Sequence, residues 1–266
     1  MKNEIKRVLV TGATGHIGYN ICMAILESKI ELIVLGRQNE SNFRQGFSLP
    51  CKYFQWKKPA ESLPPLQAMD VDAVIHLMGE PLDGRRWTEQ RKLELYSSRI
   101  NSTINMVNAI EGAVGRIKIL VTASAIGIYG DGGENTLTER SKISDGFLGK
   151  LCQDWEQEAK KCSCRNVQLR FGIVLANDSR ALKKMLPIFE NGLGGPLSSG
   201  NQWMSWVHID DVVGITMKTL HEPKLAGQIN IVSPKPVRNR EFTKLLASAL
   251  KVKAILPVPK MALRLV

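Results

Sequence analysis

Aromatic residues fill only 6% of the 266 positions, and cysteine occurs five times, at Cys22, Cys51, Cys152, Cys162 and Cys164. An odd, scattered set in a chain long enough to build its own core does not describe a disulfide framework. Cys162-Ser163-Cys164 is a close pair, but no second pair or nearby histidine completes a metal site, so no metal and ordinary reduced thiols are expected. Hydrophobic runs are short. None nears the ~18–20 residues of a membrane helix, and the first apolar stretch stops at Thr11-Gly12, too early for a signal peptide. A cytoplasmic protein with no membrane partner is therefore expected. Glycine (22) and proline (12) are too sparse and aperiodic for a low-complexity chain.

Acidic residues are the scarcer charge, 25 against 36 basic, giving a net charge of +11. Such a surplus suits an acidic partner. The basic pairs Lys57-Lys58, Arg85-Arg86, Lys160-Lys161 and Lys183-Lys184 are nevertheless dispersed. No nucleic-acid-binding signature accompanies them, so nucleic acid is not an expected partner. An anionic cofactor is the more economical use of the surplus.

What is present is an alternation. Apolar, β-rich runs at 7–11, 31–35, 52–56, 72–77 and 117–122 are separated by helical periodicity at 16–28 and 89–110. Near-continuous apolar strands between helices predict a parallel sheet covered on both faces. Further along, helices are expected at 147–162, 180–190, 210–221 and 238–250. Strands are expected at 167–175, 203–207 and 227–232, and a flexible loop at 192–200. The fold class is thus α/β, a Rossmann-type doubly wound parallel sheet with a small C-terminal substrate lobe. Residues 1–175 form mainly the nucleotide-binding part and 176–266 mainly the lobe, with 210–232 free to return to the sheet. The last residues, 262–266, read as an unfinished apolar helix.

The sharpest motif follows the first strand: Thr11-Gly12-Ala13-Thr14-Gly15-His16-Ile17-Gly18. Gly12 permits a tight turn, Gly15 lets backbone N–H groups approach a pyrophosphate, and Gly18 lets the helix pack close to the strand. The positive end of that helix then faces the phosphates. In this strand–loop–helix context the pattern points to a dinucleotide. The second strand ends Leu35-Gly36-Arg37. A carboxylate there would hold the ribose hydroxyls of NAD, whereas Arg37 can grip a 2′-phosphate, so NADP(H) is expected. The alternative leaves Arg37 solvated and gives the ribose to Glu40.

Together with His76-Leu77-Met78-Gly79 and Ser124-Ala125-Ile126-Gly127-Ile128-Tyr129-Gly130, the glycine loop resembles extended short-chain dehydrogenases/reductases. Gly79-Glu80-Pro81, Arg86-Trp87-Thr88, Asp154-Trp155-Glu156, Arg170-Phe171-Gly172 and the block Gln202–Asp211 resemble one atypical, epimerase-like branch of them. The branch is often labelled nucleoside-diphosphate-sugar epimerase or cell-division-inhibitor-like. This resemblance covers nearly the whole chain. It implies a cofactor cleft between sheet and lobe, with Leu77, Met78 and Gly79 on the adenosine side.

Three departures from the family pattern limit what carries over. The usual Tyr-x-x-x-Lys acid/base pair is absent, because the corresponding helix begins Phe147-Leu148 and has Leu151 and Cys152 where the lysine belongs. Arg99 stands where relatives carry Asn, and is expected to reach the cofactor cleft with Glu94 as its orienter or as a ribose acceptor; the alternative is an exposed ion pair. Met204 replaces an arginine that binds the diphosphate of sugar nucleotides, which argues against such a substrate. The remaining catalytic candidates are Ser124, as hydrogen-bond donor to a substrate carbonyl, and Tyr129, as proton source or merely a packed aromatic. His208 reads as a structural hydrogen-bonder. Trp203, Met204 and Trp206 either wall an apolar pocket or pack the lobe. Two functions follow: an NADP(H)-dependent oxidoreductase- or epimerase-like protein, or an NADP(H)-responsive regulatory module without turnover. The expected partners are a small-molecule substrate and, at most, a second copy of the chain in a homodimer.

Overall fold

The computed structural model describes residues 4–253 apart from Val114 and Asp178; the helix expected at 262–266 lies outside the described residues. The chain runs β1 (Arg7–Thr11), α1 (His16–Glu27), β2 (Glu31–Gly36), α2 (Glu40–Gly46), β3 (Lys52–Gln55), β4 (Ala73–His76), α3 (Glu89–Gly112) and β5 (Ile119–Ala125). It continues α4 (Phe147–Lys160), β6 (Arg165–Phe171), β7 (Ile173–Leu175), α5 (Arg180–Glu190), β8 (Trp203–Met204), β9 (Trp206–His208), α6 (Ile209–His221), β10 (Gly227–Ile231), β11 (Val237–Arg238) and α7 (Asn239–Ala249).

Seven strands form one parallel sheet in the order β10-β6-β5-β4-β1-β2-β3. The period of two along each strand divides its side chains between two cores. Val8 and Val10 of β1 point to the side covered by Ile21 and Ile25 of α1 and Val212 and Leu220 of α6. Leu9 points to the other side, against Met106, Val107 and Ile110 of α3. Both faces are thus buried, which is why the strands read as unbroken apolar runs. The connection order reverses at β1, which has β2 on one side and β4 on the other. A crevice at the carboxyl ends of the strands follows from that reversal.

Two expected strands are each split in two. The run 167–175 breaks at Gly172, so β6 stays in the main sheet while β7 pairs with β9. A side chain at Gly172 would lie 2.6 Å from the Ser205 carbonyl oxygen, so only glycine lets the two chains cross there. The run 203–207 breaks at Ser205, which sends β8 to pair with β11 and β9 with β7. Beside these short pairs, α5 packs against β7 and α7 against β8 and β11, while β10 returns to pair with β6. The short helix α2, capped by Asn39, was not foreseen.

Candidate functional site

A cavity of about 660 Å³ opens at the carboxyl ends of β1, β2 and β4. That volume lies within the range of small-molecule sites, about 300–1,000 Å³. Its floor is the turn after β1. Gly12 sits at φ +74°, and a side chain on it would press on the Leu77 and Met78 backbone at about 3 Å. Gly18 faces back onto the same turn; a Cβ there would stand 2.2 Å from the Gly12 carbonyl oxygen. The turn is closed by Gly15 N–H donating to Gly12 O at 3.0 Å. Gly15 also caps α1 and has no side chain to accept from the first turn, and no acidic residue sits in that turn. The positive end of α1 is therefore presented beside Thr14 and Gly15, both exposed and both lining the cavity.

Thr11 ties this floor to the neighbouring wall. Its Oγ1 accepts from Leu77 N (3.1 Å) and stands 3.0 Å from His76 Nδ1. The other ring nitrogen, Nε2, faces α3. That nitrogen points at Ser102 Oγ (3.4 Å), whose hydroxyl donates to the Ser98 carbonyl (2.7 Å). One relay thus joins β1, β4 and α3. Complete burial pushes the His76 pKa down to about 3, so the ring is neutral at ordinary pH. The resemblance had placed His76 at the end of a strand without giving it a role.

Of the expected cofactor residues, Gly12, Thr14, Gly15, Gly36, Arg37, Leu77, Met78, Gly79 and Glu94 line the cavity. Gly18 and Ile17 lie behind it in the helix packing, and half-buried His16 opens the helix without lining the cavity. Glu40 pairs with Arg44 instead of facing the cavity. Arg99 also stands behind the wall. Its guanidinium lies 3.0 Å from where a Gly79 side chain would begin and 5.4 Å from the Trp155 ring centroid, and it donates to the carbonyls of Glu80 and Leu95. Burial lowers its pKa. It braces the β4 loop from a buried position and is not an exposed ion pair.

A charge cluster unforeseen from sequence rims the cavity. Glu80 Oε1 accepts from Arg37 Nη1 at 2.6 Å, and Oε2 lies 3.7 Å from Arg91. Glu94 accepts from Arg91 at 2.8 Å and stands 3.7 Å from Arg85. Partial burial would raise the Glu80 pKa, but the Arg37 hydrogen bond and the charges of Arg37, Arg91 and Arg85 hold it below its ordinary value. Arg37 therefore faces the cavity with a carboxylate already on it.

Ser124 and Tyr129 occupy a second, buried network that does not line the cavity. Arg170 on β6 grips Glu156 on α4 through two hydrogen bonds of 2.7 Å. Ser124 donates to the same carboxylate at 2.7 Å. Arg170 also donates to the Tyr129 oxygen at 2.7 Å, and Tyr129 donates to Asn230 Oδ1 on β10 at 2.6 Å. Both hydroxyl protons expected to reach substrate are thus committed inside the protein. Burial lowers the Arg170 pKa on its own, yet the Glu156 and Tyr129 contacts raise it overall. Cys152, which with Leu151 falls where the resemblance expects a lysine, is buried, which pushes its thiol up to about 11. The signal was present in sequence as two quoted blocks, 154–156 and 170–172, but nothing local showed that they pair.

His208 caps α6, its Nδ1 accepting from Asp210 N at 3.3 Å. Met204 is buried, Trp206 donates to the Lys235 carbonyl, and Trp203 lies under Arg238; none of the three lines the cavity.

A model of the NAD dependent epimerase/dehydratase family matches residues 8–232. The chain belongs to this family. The Arabidopsis thaliana protein described as epimerase family protein SDR39U1 homolog, chloroplastic, is 36% identical over 99% of this chain and 76% of its own length. Epimerase family protein YfhF of Bacillus subtilis is 32% identical over 95% of this chain and 82% of its own. Among solved structures, human epimerase family protein SDR39U1 (isoform2), crystallised with NADPH, superposes with a TM-score of 0.86. It is 30% identical, and the match covers 98% of this chain and 85% of that one. This chain has a glycine turn and a switch-point cavity, and α4 carries no tyrosine.

Proposed function

We propose that the chain binds NADP(H) in the cavity between β1, β2 and β4, and serves as an oxidoreductase of the epimerase family on a small molecule other than a sugar nucleotide. The observation carrying this reading is the juxtaposition of an uncovered α1 amino end with Arg37 across one cavity at the switch point. The human relative crystallised with NADPH supports it. Bound there, the cofactor would supply hydride transfer. The residues present fit such a group. Gly12 and Gly18 leave room for backbone to approach a diphosphate, the α1 amino end offers N–H groups to it, and Arg37 offers a planar fork to a 2′-phosphate. Leu77, Met78 and Gly79 supply the apolar side of the adenosine half. Met204, buried in the lobe, offers no cation to a second diphosphate.

A second reading, NADP(H) binding without turnover, is favoured by one observation: the protons of Ser124 and Tyr129 are held by Glu156 and Asn230. Two measurements separate them. NADPH fluorescence titration should show saturable binding. NADPH oxidation should then be followed against panels of aldehydes, ketones and quinones. Turnover of one class supports the oxidoreductase, binding with no turnover supports the second reading, and absence of binding defeats both.

A further inference from the structure

The first cysteines singled out by their spacing, Cys162 and Cys164, lie far from any role in the nucleotide site. They sit in the bend between α4 and β6, at the amino end of a strand whose carboxyl end carries Arg170. In a straight strand, residues two apart point the same way but remain a full pleat apart. The bend removes that separation, and the two Sγ atoms stand 3.1 Å from each other. Three contacts hold the bend. Ser163 N donates to Glu111 Oε1 of α3 at 2.7 Å, and the Asn166 side chain donates to the carbonyls of both Cys162 (3.4 Å) and Cys164 (3.3 Å).

We propose that Cys162 and Cys164 form a reversible disulfide on exposure to a hydroperoxide, so that this bend is a redox modification site. The two sulfurs differ in the way such a pair needs. Cys164 is half-buried and reachable, while Cys162 is buried behind it against the α3 side of the core. Either sulfur can donate across the 3.1 Å contact, which favours a thiolate on the one that accepts, and Cys164 is the one a peroxide reaches. Cys164 is accordingly the attacking thiolate and Cys162 the resolving thiol. In the first step the Cys164 thiolate attacks one peroxide oxygen; the O–O bond breaks, the thiolate becomes a sulfenic acid, and the peroxide is reduced to hydroxide or alkoxide. In the second step Cys162 sulfur attacks the sulfenic sulfur. The S–S bond forms, the S–O bond breaks, and the departing hydroxide takes the Cys162 proton as water. A disulfide needs sulfurs about 2 Å apart, so closure asks for about 1 Å of approach inside an existing bend. Among the described residues no group of three or more ligating side chains could hold a metal, which leaves the thiols to each other.

The remaining cysteines are built-in controls. Burial raises the pKa of Cys22 and Cys152, and Cys51, although beside Arg44, is also raised. Trypsin releases residues 162–165 as one tetrapeptide holding both sulfurs. The full chain is treated with hydrogen peroxide, denatured, alkylated with iodoacetamide and digested. The tetrapeptide should lose the mass of two hydrogens and take up no alkyl group, at least tenfold faster than any other cysteine is lost. Dithiothreitol before alkylation should restore two alkyl groups. In Cys162→Ser, Cys164 should be trapped by dimedone as the sulfenic acid; in Cys164→Ser, Cys162 should stay alkylatable. The proposal is overturned if the tetrapeptide keeps both alkyl groups under peroxide that oxidises Cys51. It is equally overturned if the peptide gains oxygen without losing hydrogen, or links to another cysteine.

Discussion

Replacing Glu156 by Gln isolates the energetics of the buried network. The Glu156 and Arg170 side chains are only 3% and 4% exposed, so water does little to screen them. Two charges about 4 Å apart at an effective dielectric of 20 attract by about 4 kcal/mol. Breaking one side of a buried pair costs about 3–5 kcal/mol, because the surviving charge is left without a counterion. Glutamine keeps one acceptor for Arg170 or Ser124, which places the loss near 3 kcal/mol. A urea slope of about 2–3 kcal/mol per molar then moves the unfolding midpoint down by about 1–1.5 M. Equilibrium urea unfolding followed by circular dichroism reads this directly. The double variant Glu156→Met with Arg170→Met removes both charges and should recover roughly half of the loss. A midpoint that does not move in Glu156→Gln, or a double variant as unstable as the sum of the singles, refutes the reasoning.

Other outcomes follow from the same geometry. Glu80→Gln should leave stability within about 1 kcal/mol, since Arg37 is largely exposed and Arg91 keeps Glu94 as its partner, while NADPH affinity rises severalfold as Arg37 is released; a weaker NADPH complex would show that Glu80 serves the nucleotide. Gly18→Ala must displace the Gly12 turn, because its new Cβ meets the Gly12 carbonyl oxygen at 2.2 Å, and NADPH affinity should fall at least about tenfold (about 1.4 kcal/mol) with the circular dichroism spectrum retained. His76 contributes a pH dependence. Its folded pKa of about 3 lies below the ordinary histidine value, so the unfolded chain binds the extra proton and stability falls as pH drops below about 6.5. By pH 4.5 that amounts to about 3 kcal/mol, and His76→Gln should flatten this part of the stability curve.

The parallel sheet was legible because β1, β2, β4 and β5 are buried on both faces and therefore continuously apolar. The glycine turn was legible because its spacing encodes a backbone demand that Gly12 and Gly18 meet. Breaks inside apolar runs were not legible. Gly172 and Ser205 divide 167–175 and 203–207 for a reason that exists only in three dimensions, the crossing of one chain over the other at 2.6 Å from a would-be side chain. A cavity does open beside the glycine turn, but the partners of the side chains around it were less legible. Arg99 sits one residue from the cavity-lining Ser98, and no periodicity shows that its guanidinium turns behind Gly79. Ser124 and Tyr129 fall near a strand end, as ligand-binding residues do. Their hydroxyls are taken by Glu156 and Asn230, 32 and 101 positions away, a separation that no local pattern records.

The role given to Arg37 is the most exposed part of the account. Parallel titrations of the chain and of Arg37→Asp with NADPH and NADH, at one ionic strength, test it directly. The account predicts that the unaltered chain binds NADPH at least about tenfold tighter than NADH, and that Arg37→Asp abolishes or inverts that ratio while leaving NADH affinity within a few-fold. Equal affinities in the unaltered chain, or a preference for NADPH that survives Arg37→Asp, would contradict it.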